Sequence, residues 1–234
     1  MKKAVLFDLD NTLYDYDKPH EKALKQTYKV LKKYIDFSFS KFLKLFNISK
    51  EEIHKELSGT ASAHNRVLYF QRLIEKTHNT VEPKIILNLE ETYWDSFLKN
   101  MQIKKEVIPV FKKIKKAGLK IVVVTDLTAH IQLRKIEKLK ISNYVDFLVT
   151  SEEAGSEKPH SIMFLLALNK IKILPKDAIM VGDNTVTDIE GANSIGLDTI
   201  LLKNTNKIKR YKEDYRNPNY IIKKIAEILK ILKI

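Results

Sequence analysis

Short apolar runs, each closed by polar residues, recur along the chain. Ala4 to Phe7 is followed by Asp8, and Ile121 to Val124 by Thr125 and Asp126. Phe147 to Val149 is followed by Thr150 and Ser151, and Ala178 to Val181 by Gly182 and Asp183. A weaker fifth run is Thr199 to Leu202. Unbroken apolar runs this short read as strands buried on both faces. The stretches between them carry helical spacing. Residues 104–117 have Pro109 near the start and Gly118 as the stop, and residues 129–140 place Ile131, Leu133, Ile136 and Leu139 at helical intervals. Residues 159–170 begin with Pro159 at a first-turn position, and residues 188–195 form a short helix ended by Gly196. Strand alternating with helix predicts right-handed crossovers and an α/β fold, a doubly wound parallel sheet.

Residues 15–100 break that alternation. They read as helix after helix, at 18–35, 39–46, 50–57, 62–78 and 84–99. Asn47 with Ser49, Ser58 with Gly59, and residues 79–83 punctuate them. The many aromatics here, among them Tyr69, Phe70, Tyr93, Trp94 and Phe97, read as the packing of a small bundle. The chain therefore divides into an α/β core, residues 1–14 and 101–234, and an inserted all-helical module, residues 15–100. The module starts just after Asp10, so it is expected to lie over the strand ends as a lid. The C-terminal stretch from about Lys203 is rich in lysine, and its amphipathic end, Ile221 to Ile234, is expected to cap the sheet.

With 44% hydrophobic residues the chain has the material for a substantial core. It has no cysteine, which removes disulfides, thiolate metal sites and cysteine nucleophiles, and fits a cytoplasmic location. Its N-terminus runs straight into a strand rather than a signal peptide, and no apolar run approaches the ~20 residues of a membrane span. No membrane partner is expected. The formal charge is +13, but the lysines are spread through every segment. That distribution reads as general surface charge and not as a nucleic-acid patch, though a basic field also draws in an anionic metabolite.

Four polar clusters fall at the carboxyl ends of strands or the starts of the next helices: Asp8 with Asp10, Thr125 with Asp126, Lys158, and Asp183 with Asp188. In a parallel sheet those ends share one edge, where such folds bind ligands. Each cluster has a plain alternative as a turn, a helix cap or a solvated lysine. Their common edge speaks against coincidence. Asp8 and Asp10 share parity, so in an extended chain both carboxylates point the same way. Two like charges that close require a cation or a proton between them.

The run Asp8-Leu9-Asp10-Asn11-Thr12, then Thr125, then Lys158-Pro159, then Gly182-Asp183 with Asp188, resembles the four motifs of the haloacid dehalogenase superfamily, in order and spacing over the whole chain. The insertion after the first motif is similar to members that carry a helical cap there. Asp126 departs from the asparagine often found after the second-motif residue. The resemblance implies a Rossmann-like core and a Mg²⁺-dependent phosphomonoester phosphatase acting on a small phosphorylated metabolite. It implies Asp8 as nucleophile, forming an aspartyl-phosphate, and Asp10 as general acid and then base. It implies Thr125, Asp126 and Lys158 around the phosphate. Asp8, Asp183 and the Asp10 backbone carbonyl would hold the metal, with Asp188 behind them acting through a water. Asn184 and Thr185 would support the acidic loop. The Asp-x-Asp pair favours phosphate-ester chemistry over dehalogenation. A phosphomutase of the same layout and a non-catalytic basic binding module are the alternatives. Tyr14, Tyr16 and His20 lie just past the loop and are candidates to face the leaving group, with a packing or solvated role at least as good, and His64 and Arg66 are polar candidates inside the lid.

Overall fold

The computed structural model describes residues 2–203 and 214–234. It divides into two compact units, Met1–Asp15 with Gln102–Ile234, and Tyr16–Met101.

The first unit begins with β1 (Ala4–Phe7), whose four residues are all fully buried. The second unit supplies the next four helices: α1 (Asp17–Leu31), α2 (Phe39–Glu56), α3 (Arg66–His78) and α4 (Pro83–Asn100). The first unit then resumes with α5 (Val107–Lys116), β2 (Lys120–Thr125), α6 (Ala129–Lys138), β3 (Phe147–Thr150), α7 (Ser151–Ala154) and α8 (Ser161–Ile171). It closes with β4 (Ala178–Gly182), α9 (Gly191–Asn193), β5 (Asp198–Leu202), β6 (Tyr220–Ile222) and α10 (Ile228–Leu232).

The strands form one six-stranded sheet in the order β3-β2-β1-β4-β5-β6, and every pairing is parallel. Its two faces follow from residue parity. Ala4 and Leu6 join Val122, Val124, Met180 and the α8 residues Met163, Phe164 and Ala167 in one apolar cluster. Phe7, of opposite parity, packs on Phe111 of α5 with ring centroids 5.0 Å apart. Helix α5 reaches the sheet because Val107, Val110, Phe111 and Ile114 lie on one face, and Gly118 at φ +78° ends it.

β1 lies between β2 and β4, which is the position where strand order reverses. Residues that leave β1, β2 and β4 at their carboxyl ends are therefore neighbours. Beyond Asp10 the chain does not stay extended. Asn11 takes a left-handed φ of 63°, and Tyr14 makes isolated bridges to Asp10 and Ile103. The Lys104 N–H donates to the Leu13 carbonyl at 3.0 Å, and its ammonium donates to the carbonyls of Asn11 and Thr12.

Several boundaries differ from the sequence reading. Residues 39–57 hold a single helix, not two. Its buried face runs through Phe42, Phe46, Ser49 and Ile53, so the apolar period carries across Asn47 and Ser49. Pro159 lies before α8, not in its first turn, and the Lys158–Pro159 peptide is cis. The acidic loop opens into a π-helical turn, Thr185–Glu190, ahead of α9. The short strand β6 was not foreseen, because three residues give no period to read. The C-terminal end packs Ile225 and Ile228 against α5. The lysine-rich residues 204–213 lie outside the described residues.

Within the second unit α1 packs along α4, and α3 packs on both α2 and α4. Tyr69, Phe70, Tyr93, Trp94 and Phe97 are all buried, as a packing role requires. Among the described residues no helix is long and apolar enough to cross a membrane.

Candidate active site

The first unit gathers Asp8, Asp183, Asp188 and Lys158 at the carboxyl edge of the sheet. Asp8 follows β1 directly, and its N–H donates to the Val181 carbonyl at 2.9 Å, so it still belongs to the sheet edge. Its carboxylate is fixed at both oxygens. Lys158 Nζ donates to Oδ1 at 2.6 Å, and Thr12 Oγ1 donates to Oδ2 at 2.8 Å. The same ammonium donates to Asp188 Oδ1 at 2.7 Å. Asp188 Oδ2 accepts the Asn184 N–H at 3.0 Å, and Asn184 Oδ1 accepts from Val186 and Thr187, so the predicted support from Asn184 is a helix cap.

Carboxylate oxygens of Asp8, Asp183 and Asp188 lie within 4.8 Å of one another. Two of these carboxylates share one buried ammonium, and Asp183 lies beside them. Burial pushes the Asp8 carboxyl well above the usual carboxylate range; Lys158 opposes this, and Asp188 and Asp183 add to it. Burial, then the charge of Asp188, raises Asp183 to about 6. Burial would lower Lys158, but Asp188 and Asp8 outweigh it and hold the ammonium charged. The cluster is short of positive charge, and its donors are all oxygen. A small hard divalent cation fits that set.

Gly182, the last residue of β4, makes room for this arrangement. A Cβ there would lie 2.3 Å from both Cγ and Oδ2 of Asp188. Asp188 cannot swing aside without leaving Lys158 and the Asn184 N–H. Gly182→Ala is therefore expected to cost about 1–3 kcal/mol of stability. With Asp188 displaced, Mg²⁺ should raise its melting temperature less than that of the wild type. Melts with and without Mg²⁺ check this.

The remaining predicted residues take other positions. Thr125, the last residue of β2, is buried, and its hydroxyl accepts from Gln132 Nε2 at 2.9 Å. Asp126 Oδ1 accepts the backbone N–H of Lys158 at 2.9 Å. Its carboxylate, raised by burial against the pull of Lys158, anchors the lysine's backbone. A carboxylate in that place positions Lys158; like charge would oppose its binding phosphate directly.

Asp10 has partners distinct from those of Asp8. Both its oxygens accept from Lys135 Nζ at 2.8 Å, and Oδ1 accepts from the Tyr14 hydroxyl at 2.5 Å. Lys135 was missed in the sequence. It lies on α6 among apolar residues, as Gln132 does, and both are fully buried while Leu133 is 55% exposed.

The other candidates, apart from Tyr14, lie in the helical unit. The Arg66 guanidinium lies over the rings of Tyr69, Tyr93 and Trp94 at 5.2–5.3 Å and donates to the Tyr16 hydroxyl and the His64 carbonyl. His20 Nδ1 is 2.6 Å from the Tyr93 hydroxyl, and burial with the nearby Arg66 charge lowers its pKa to about 4. These residues form that unit's polar interior.

Residues 5–202 match the family model described as haloacid dehalogenase-like hydrolase. A ribulose-1,5-bisphosphate 5-phosphatase of Halopiger xanaduensis is 38% identical over 205 residues, which cover 86% of this chain and 84% of that protein. A glyceraldehyde 3-phosphate phosphatase of Methanopyrus kandleri is 28% identical over 236 residues, 100% of this chain and 98% of the other. Among solved structures, a 2-haloacid dehalogenase from Pseudomonas syringae shares the fold with a TM-score of 0.80 at 23% identity, covering 100% of this chain and 99% of that one.

Proposed function

The chain belongs to the haloacid dehalogenase-like hydrolases, and from that premise we propose a Mg²⁺-dependent phosphatase of a small phosphorylated metabolite that works through an aspartyl-phosphate. Its named relatives are phosphatases, and the chain is a phosphoric monoester hydrolase with them. The observation that carries the mechanism is the buried Lys158 joined to Asp8 and Asp188, with Asp183 beside them.

Phosphoryl transfer is mostly positioning and charge neutralisation. Asp8 attacks phosphorus, a bond forms between its carboxylate oxygen and phosphorus, and the bond to the substrate oxygen breaks. Asp10 gives a proton to the leaving alkoxide. Water then attacks phosphorus and gives a proton to Asp10, the bond between phosphorus and the Asp8 oxygen breaks, and inorganic phosphate leaves with the Asp8 carboxylate restored. Acid–base help of this kind is worth ~10²–10⁴ in rate. Lys158, 2.6 Å from Asp8 Oδ1, neutralises charge beside the forming bond, and the Thr125 hydroxyl helps hold the phosphoryl oxygens. Asp8, Asp183 and the Asp10 carbonyl, with Asp188 behind them, would hold Mg²⁺. Bound there, the cation would offset the repulsion between a carboxylate and a phosphate dianion.

The substrate is a small sugar or triose phosphate, by kinship with the ribulose bisphosphate and glyceraldehyde phosphate phosphatases. The helical unit is proposed to act as the cap that selects it, in a protein working in the cytoplasm. Hydrolysis of p-nitrophenyl phosphate, ribulose 1,5-bisphosphate and glyceraldehyde 3-phosphate tests the reading. Turnover should require Mg²⁺, stop in EDTA and return with added Mg²⁺. Turnover indifferent to EDTA, or none on any of the three, would overturn it.

A further inference from the structure

We propose that Lys135 is a positioning residue for hydrolysis, holding the Asp10 carboxylate in its working orientation. The inference rests on reading Asp10 as the acid and base, and goes beyond it by assigning the group that aims it.

Asp10 lies outside the regular sheet. Its backbone pairs through an isolated bridge to Tyr14, and the next residue, Asn11, turns the chain at positive φ. Nothing in a strand ladder fixes where its carboxylate points. Two side chains do so instead. Lys135 Nζ reaches both oxygens at 2.8 Å, and the Tyr14 hydroxyl reaches Oδ1. The ammonium also lies 5.9 Å from the Tyr14 ring centroid, so lysine, tyrosine and carboxylate form one unit.

A lysine with a fully buried side chain is rare because taking an ammonium out of water is costly. An apolar residue on the same face of α6 would suffice for packing. The site also separates its carboxylates by partner: Asp8 has Lys158 and Thr12, and Asp10 has Lys135 and Tyr14. That separation leaves Lys158 for the phosphoryl centre while Lys135 and Tyr14 hold Asp10.

Lys135→Met keeps the volume and removes the donor. Its kcat on p-nitrophenyl phosphate should fall ~10²-fold, the scale of a small misplacement of a catalytic group, with KM changed less than about twofold. Lys135→Arg, which keeps the charge, should recover at least about tenfold of that loss. In an Asp10→Asn background Lys135→Met should change the residual rate less than about twofold, because a group acting through Asp10 has nothing left to aim. A merely structural lysine would lower the rate equally in both backgrounds. That result, or a folded Lys135→Met with wild-type kcat, overturns the inference. Should Lys135→Met fail to fold, Tyr14→Phe and Lys135→Arg carry the same comparison, and equal losses in both backgrounds again overturn it. A wild type with no Mg²⁺-dependent turnover would instead sink the reading of the site as a phosphatase.

Discussion

Asp8→Asn should leave a folded protein whose hydrolysis of p-nitrophenyl phosphate is down by at least ~10⁴-fold, the scale seen when a nucleophile is removed from an otherwise intact site. The change is nearly isosteric, so the geometry at the end of β1 survives. What goes is the anionic oxygen proposed to attack phosphorus. An amide oxygen still accepts from Lys158 or from Thr12, but one carboxylate can accept from both and an amide oxygen serves them less well. Stability should not suffer. Burial raises the Asp8 pKa, so the native state binds its proton more readily than the unfolded chain does. A charged Asp8 therefore costs folding free energy above the ordinary carboxylate range, and the neutral amide escapes that cost. In EDTA at pH 7.5 the melting temperature of Asp8→Asn should equal or exceed that of the wild type. Turnover above a few per cent of wild type would remove Asp8 from the nucleophile's role.

Lys158→Met should damage both folding and turnover. The lysine's side chain is 2% exposed and is the shared donor of Asp8 and Asp188. Removing one partner of a buried ion pair costs about 3–5 kcal/mol because the other charges stay behind. Here the remainder is three carboxylates within 4.8 Å. They can relieve one another only by taking up protons. The native state then binds more protons than the unfolded chain above about pH 4, so stability falls as pH rises. The loss should accordingly be smaller at pH 5.5 than at pH 8, and added Mg²⁺ should recover part of it at pH 8. Turnover should drop by ~10²–10³-fold, the usual cost of losing one charge-stabilising donor. Denaturant unfolding in EDTA at the two pH values checks the first claim. A variant as stable as wild type at pH 8 would mean that Lys158 does not bear the charge of this cluster.

How much of this was legible in the chain depended on the kind of signal. The parallel sheet was legible because its strands are buried on both faces and read as unbroken apolar runs. The chemistry-bearing ends were legible because each run stops at a polar residue. The α6 site residues were not, and the reason is physical. Ile131, Leu133, Ile136 and Leu139 fit a helical period, yet Leu133 faces solvent while Gln132 and Lys135 are buried. A hydropathy pattern counts a lysine as an outward residue, so a buried ion pair to a residue 125 positions away leaves no mark in it. The separate partners of Asp8 and Asp10 were hidden for a related cause. Parity speaks only of direction in an extended chain and says nothing of which distant side chain meets each carboxylate. Helix α2 erred the other way, since polar residues that resemble punctuation were overridden by a continuous buried face.

The ties between residues 11–14 and residues 103–104 bear on how this chain can change. Tyr14 bridges Ile103, and Lys104 binds three carbonyls of residues 11–13. The outgoing and returning strands of the core are thereby fastened side by side before the insertion begins. To the sheet, residues 16–101 are a parenthesis: the sentence closes on itself whatever stands inside. A lineage can lengthen, shorten or replace that inset without rewriting β1 or the carboxylate that follows it.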